Sequence, residues 1–188
     1  EAVSLIQSGQ RVFVQGGAAT PSVLLNALVE QADRLTDVEL IHLHTEGNAP
    51  YADERYARSF KVANLFVGSN LRKKINYASI DYLPCFLSEI PQLFRSGRRP
   101  IDVALIHLSP PDRHGFCSLG TNVDVAIAAL ESAKTVIAQI NPQMPRVHGD
   151  GIIHVDSVDK FVDIDVPLPE CPRHELTQEE KAIGRHAS

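Results

Sequence analysis

The chain has 188 residues, 44% of them hydrophobic and 22% charged, which is enough apolar material for one core and too much for a disordered segment. Its formal charge is -5, from 18 Lys and Arg against 23 Asp and Glu, with no basic cluster larger than Arg72, Lys73 and Lys74, so no nucleic-acid partner is expected. Cys85, Cys117 and Cys171 are too far apart for a Cys-x-x-Cys clip and too few for a disulfide framework, which points to a reducing, cytoplasmic setting.

Residues 2–8 read as a helix closed by Gly9, and residues 11–15 (RVFVQ) as a strand running into Gly16 and Gly17. Thr20 then caps a helix with Pro21 at its first position, and Leu25, Leu28, Val29 and Ala32 give that helix one apolar face. Residues 38–44 (VELIHLH), 62–67, 101–108 and 135–140 have strand length, and their near-continuous Val, Ile, Leu and Ala predict strands covered on both faces. A weaker helix at 88–96 contains Pro91, and residues 110–120 hold enough turn formers for a hairpin or an excursion. Residues 123–133 place Val123, Ala126, Ile127 and Leu130 on one helical face, and 152–155 is a short closing strand. This alternation predicts an α/β fold, an open and mostly parallel sheet with helices on both faces.

The tail carries a Pro-rich linker at 166–172 (VPLPECP), then Thr177 and Glu180 at the spacing of a capping box, which starts a new helix. The expected division is a domain at 1–165 and, at 166–188, a linker with the start of a truncated second domain. Glu1 in place of Met likewise suggests a start inside a longer polypeptide. No apolar run approaches the ~20 residues of a membrane helix, and no signal segment opens the chain, so no membrane partner is expected.

The most distinctive local feature is 14–22 (VQGGAATPS), a strand, a Gly-Gly turn and a Pro-started helix. Glycines let a ligand or another backbone come close, and the amides that open a helix can receive an anion or oxyanion. There is no G-x-G-x-x-G and no Walker Lys, so a dinucleotide or a nucleoside triphosphate is not supported. Glu46, Gly47 and Asn48 follow the next strand and could line a cleft with Gly16 and Gly17, or simply form a solvated turn. His42 and His44 share a strand face and His107 sits similarly on a later strand. No Cys or carboxylate stands at a complementary spacing, so packed histidines are expected and no metal. Residues 109–120 (SPPDRHGFCSLG) hold Asp112, His114 and Cys117, and a turn with a buried thiol explains them better than a nucleophile does.

Taken together, VQGGAATP at 14–21, SPPDRHGFCSLGTNVD at 109–124 and NPQMPRVHGDGIIHV at 141–155 resemble the N-terminal domain of acetyl-CoA hydrolases and CoA-transferases, in particular the 4-hydroxybutyrate and butyrate:acetate branch. The resemblance spans nearly the whole chain, and LTQEEKAIGRH at 176–186 is similar to the start of that family's second half. It implies a CoA-transferase-type domain whose active site lies against a second, similar domain, the C-terminal half of the same polypeptide. The implied chemistry is ping-pong transfer of CoA through a glutamyl-CoA thioester, with an acyl-CoA and a short-chain carboxylate as substrates and no other cofactor.

By the same resemblance the nucleophilic Glu belongs to the C-terminal half, so no catalytic residue is expected in this chain and Glu46 is not one. Gln15, Gly16, Gly17 and Ala18 correspond to the wall near the acyl group; Glu46, Gly47 and Asn48 to the neighbouring loop; and Asn141, Gln143, Met144 and Pro145 to a strand-end loop facing the cleft. Asp112, His114, Gly115 and Cys117 correspond to a structural signature. A homo-oligomer is compatible with the resemblance. An acyl-CoA hydrolase of the same family remains an alternative, as does a ligand-sensing or phosphosugar-binding module of similar fold.

Overall fold

A computed structural model describes residues 1–75, 79–171 and 174–187. Seven strands form one parallel sheet: β1 (Arg11–Val14), β2 (Val38–His42), β3 (Phe60–Asn64), β4 (Ile80–Tyr82), β5 (Ile101–Leu108), β7 (Ala133–Ile140) and β9 (Lys160–Asp163), in the spatial order β4-β3-β2-β1-β5-β7-β9. Two short strands, β6 (Phe116–Ser118) and β8 (Ile152–His154), pair antiparallel outside it.

The apolar runs produce this sheet because successive residues of a strand point to opposite faces and both faces are covered. In β1, Val12 and Val14 face the core under helix α1 (Ser22–Val29), while Phe13 faces the other layer. That layer holds helices α2 (Ile90–Arg95) and α3 (Ala126–Ser132), and Phe13 meets Phe94 edge to face with ring centroids 5.9 Å apart. Burying each such large apolar side chain contributes about 1.5–3 kcal/mol.

The expected α/β architecture is present, with differences at the element ends. Residues 2–8 form only a 3-10 turn, Ala2–Leu5, because no amphipathic stripe extends past it. Thr20 does not cap α1. Its hydroxyl donates to the Gly17 carbonyl at 2.7 Å, and Pro21 occupies the cap position without a side-chain bond. The Gln139 side chain of β7 instead accepts from the Leu24 amide at 3.3 Å. In the 88–96 stretch a 3-10 turn, Leu87–Glu89, leads into α2, with Pro91 tolerated in the first turn. The strand expected to close the sheet at 152–155 pairs with the excursion, as Phe116↔His154, Cys117↔Ile153 and Ser118↔Ile152. The strand that closes the sheet beside β7 is β9, whose polar sequence KFVD conceals it, and β4 forms the opposite edge.

The chain runs outward from β1 through β2, β3 and β4, then crosses back to lay β5 on the other side of β1. Order reverses there, the place along the carboxyl edge where such sheets form a crevice, and the excursion after β5 folds back onto the turn that leaves β1 through Gln15 and Asn122. Beyond β9, helix α4 (Gln178–Ala187) buries none of its described residues. It starts on the expected capping box, the Glu180 amide donating to Thr177 Oγ1 at 3.1 Å and the Thr177 amide to Glu180 Oε2 at 2.7 Å. Pro172, Arg173 and Ser188, which belong to the expected linker and helix, lie outside the described residues.

Candidate active site

The crevice is built around the turn after β1. The Gly17 amide donates to the His44 carbonyl at 3.0 Å, and Gly17 pairs with Thr45 in an isolated parallel bridge, so the loop leaving β2 lies directly against the turn. A Cβ on Gly16 would stand 2.5 Å from that carbonyl oxygen, and Gly17 holds φ +54° with the Asn122 side chain close by. Glycine is required at both positions by the approach of neighbouring protein groups. Most amides of the turn bond internally: Ala19 to Gly16 O, Thr20 to Gly17 O and Ser22 to Thr20 O. Those of Gly16 and Ala18 have no acceptor among the described residues.

Gln15 is fully buried. Its Nε2 donates to the carbonyls of Leu119 (3.1 Å) and Asn122 (2.7 Å), and its Oε1 accepts from the His107 amide (2.7 Å). It therefore ties three segments together under the turn and presents no free amide to a cleft. Asn122, which the sequence did not single out, packs on Gly16 and Gly17; its Nδ2 donates to Asp124 Oδ2 at 2.9 Å, and Asp124 Oδ1 also accepts from the Val125 amide.

Glu46, Gly47 and Asn48 are exposed beside the turn, and the Glu46 amide donates to Thr20 Oγ1 at 3.0 Å. A buried polar chain holds this loop. His42 Nε2 lies 3.2 Å from the Tyr51 hydroxyl, which lies 2.8 Å from Thr45 Oγ1, and Asn70 Nδ2 donates to the carbonyls of Thr45 (2.8 Å) and Gly47 (3.0 Å). Burial pushes His42 down to about 4 and Tyr51 up to about 12, so both stay neutral at pH 7. Tyr51 and Asn70 were not legible as site supports, since nothing local links them to Thr45. His44 meets Phe66 edge to face, whereas His42 meets Tyr51. Among the described residues, no group of three His, Cys, Asp or Glu is placed to hold a metal.

The 141–145 loop leaves β7 at the same edge. Asn141 is buried and bonded to Val166, and Met144 is buried against Gly120, where a Cβ would strike its sulfur. Gln143 and Pro145 are exposed, and Gln143 Nε2 donates to Asp165 at 2.9 Å. This loop thus braces the excursion carrying Asn122. Among the described residues no hydrogen bond joins this loop to Glu46, whose amide bonds to Thr20, while Gln143 bonds to Asn141 and Asp165.

Asp112 Oδ1 accepts from the amides of Phe116 (3.0 Å) and His114 (2.8 Å), bonds that hold its carboxyl below the usual range, and Arg146 pairs with its other oxygen. Cys117 is fully buried on β6, and burial pushes its thiol up, against the opposing influence of Arg146. A disulfide reagent at pH 7 should therefore modify exposed Cys171 and leave Cys117 untouched until the chain is unfolded. Prompt labelling of Cys117 in the native chain, read by peptide mapping, would contradict its structural role.

Residues 1–169 match the model of the acetyl-CoA hydrolase/transferase N-terminal domain. The chain belongs to this family. Within the acetyl-CoA hydrolase/transferase family it is 42% identical over 188 residues to the 4-hydroxybutyrate coenzyme A transferase of Clostridium kluyveri, covering 100% of the chain and 44% of that relative. It is also 42% identical over 187 residues to a succinyl-CoA:acetate/propanoyl-CoA:succinate CoA transferase of Fasciola hepatica, covering 98% of the chain and 39% of the relative. The crystal structure of RipA from Yersinia pestis superposes with a TM-score of 0.90 at 30% identity, over 98% of this chain and 45% of that one. The chain thus spans less than half the length of these relatives.

Proposed function

We propose that these residues are the N-terminal half of an acyl-CoA:carboxylate CoA-transferase, with a domain at 1–165 and the start of a second domain at 166–188. The substrates are an acyl-CoA and a short-chain carboxylate, with no further cofactor, in a cytoplasmic setting. The observation that carries this reading is the match of 98–100% of the chain, at 42% identity, to two CoA-transferases.

In this scheme a glutamate carboxylate in the C-terminal half attacks the thioester carbonyl and expels CoA thiolate, leaving an acyl-glutamyl anhydride. The thiolate attacks the glutamyl carbonyl and releases the acyl group as its carboxylate. A second carboxylate then attacks the glutamyl-CoA thioester, and the thiolate finally takes the new acyl group and frees the glutamate. Each tetrahedral step places charge on a carbonyl oxygen. The Gly16 and Ala18 amides, with acceptors unfilled among the described residues, are the donors this chain offers it. Gly16, Gly17 and Ala18 with Glu46, Gly47 and Asn48 form the wall; Gln15, Asn141 and Met144 support it from beneath, and Gln143 and Pro145 lie at the loop edge.

The test is the intact polypeptide assayed for CoA transfer to acetate and, in parallel, for thioester hydrolysis, as wild type and as Gly17→Val. The expected result is transfer faster than hydrolysis, with turnover lowered about tenfold or more in the variant while CoA affinity stays within about twofold. The 188-residue chain alone should not transfer CoA until the remainder is added. Hydrolysis without transfer would give the hydrolase reading, and lost CoA affinity at normal turnover would move Gly17 to the nucleotide end.

A further inference from the structure

One hydroxyl joins the Gly-Gly turn to the loop after β2. Thr20 Oγ1 donates to the Gly17 carbonyl at 2.7 Å and accepts from the Glu46 amide at 3.0 Å, and the Thr20 amide donates to the same Gly17 carbonyl at 3.0 Å. Thr20 is 5% exposed and makes no cap bond to α1, so the start of the helix does not account for its side chain. The residue itself has little freedom to move. Pro21 restricts the position before it to extended conformations, the Ser22 amide donates to the Thr20 carbonyl at 2.8 Å, and a β-branched side chain is stiff at χ1. These bonds fix a peptide plane. A trans peptide points its C=O and its N–H in opposite directions, so a Gly17 carbonyl drawn onto Thr20 turns the Ala18 amide of the same plane away from it. Ala18 is half-buried, and its amide has no acceptor among the described residues. The plane before it has both groups engaged, the Gly16 carbonyl by the Ala19 amide at 3.2 Å and the Gly17 amide by the His44 carbonyl at 3.0 Å.

We propose that Thr20 is a positioning residue whose hydroxyl holds the 17–18 peptide with the Ala18 amide aimed into the crevice and ties that plane to the loop carrying Glu46. The proposal rests on the CoA-transferase reading above and adds to it the side chain that orients the donor. Thr20 touches no substrate and moves no proton. Its effect is preorganisation: a donor already aimed stabilises charge as it develops on a carbonyl oxygen, whereas an amide that must first rotate adds that reorganisation to the barrier. Rotation is the expected alternative, because Gly17 has no side chain to resist it and only the bonds from Thr20 hold its carbonyl.

The test is steady-state CoA transfer to acetate by the intact polypeptide as wild type, Thr20→Val and Thr20→Ser, with 15N relaxation of the same variants in the 188-residue chain. Thr20→Val removes the hydroxyl at nearly constant volume, and Thr20→Ser keeps it. The expected result is turnover lowered about tenfold or more in Thr20→Val and held within about threefold of wild type in Thr20→Ser, with the acyl-CoA KM within about twofold in both. The order parameter of the Ala18 N–H should stay near about 0.85 in wild type and Thr20→Ser and fall toward about 0.6 in Thr20→Val. A purely structural role would lower the urea midpoint and leave the turnover of folded protein unchanged. Thr20→Ala, which adds no methyl where the hydroxyl stood, is read in the same way should Thr20→Val fail to fold. Normal turnover in Thr20→Val, an equal loss in Thr20→Ser, or an Ala18 amide as rigid in Thr20→Val as in wild type would overturn the proposal. A wild type that transfers no CoA would overturn the reading above and the catalytic use of this amide together, while the order parameters still decide whether Thr20 holds it.

Discussion

Gln15→Ala is expected to lower the stability of the chain by about 3–5 kcal/mol, the largest effect of any single change considered. The side chain is fully buried and saturates three backbone groups on three segments, the His107 amide and the carbonyls of Leu119 and Asn122. Truncation leaves the buried His107 amide and Leu119 carbonyl without a partner, at about 1–3 kcal/mol each, opens the part-buried Asn122 carbonyl to water, and adds a void. Gln15→Met separates the two contributions because it fills the volume without restoring a bond. It should recover only a minor part of the loss. Urea unfolding at pH 7 measures both, and a cost below about 1 kcal/mol for Gln15→Ala would mean that these bonds do not anchor the excursion. Because Asn122 rests on Gly16 and Gly17, the amides of 16–18 should also exchange faster in the variant.

Acidification from pH 7 to pH 5 should remove about 4 kcal/mol, about 2 from each of two histidines. His42 and His107 are buried, and burial holds both at about 4 in the fold against an ordinary value of 6.5. For His42 the Leu43 carbonyl offsets burial in part, and for His107 the carbonyls of Thr20 and Ala19 do so. The His107 ring nitrogens find no partner of good hydrogen-bond geometry among the described residues, so nothing fixes a proton there. Between pH 6.5 and 4 the unfolded chain binds protons that the folded chain refuses, so stability falls as pH falls through that window and is level above it. Asp102 and Asp112 behave differently. Their folded values lie below the ordinary carboxylate range, so their contribution is lost only at lower pH, as the solution falls through those folded values. Urea midpoints at pH 7, 6 and 5 test this, and a flat profile from 7 to 5 would show that the imidazoles are protonated or solvated in the fold. His42→Gln should remove about half of the slope.

The sequence by itself determined what depends on local periodicity and on residue types that serve one purpose. Residues 11–15 were legible as a strand, and both cores claim a share of it, Val12 and Val14 in one and Phe13 in the other. Gly16 and Gly17 marked a close approach, and Thr177 with Glu180 a helix start. The three segments carrying the family resemblance were legible as well, and the family match covers them. Tertiary structure alone decided which groups meet across the crevice. Gln139 caps α1 from 115 residues away, Gln15 reaches Leu119 across 104, and Asn70 secures Thr45 across 25. A buried amide or hydroxyl is satisfied by whatever the sheet order brings beside it, and that order places β5 against β1 only after β2, β3 and β4 have run out the other way. The same reversal decided that residues 152–154 pair with the excursion and that KFVD forms the edge beside β7, because strand pairing depends on the partner's position, which spacing along the chain does not encode.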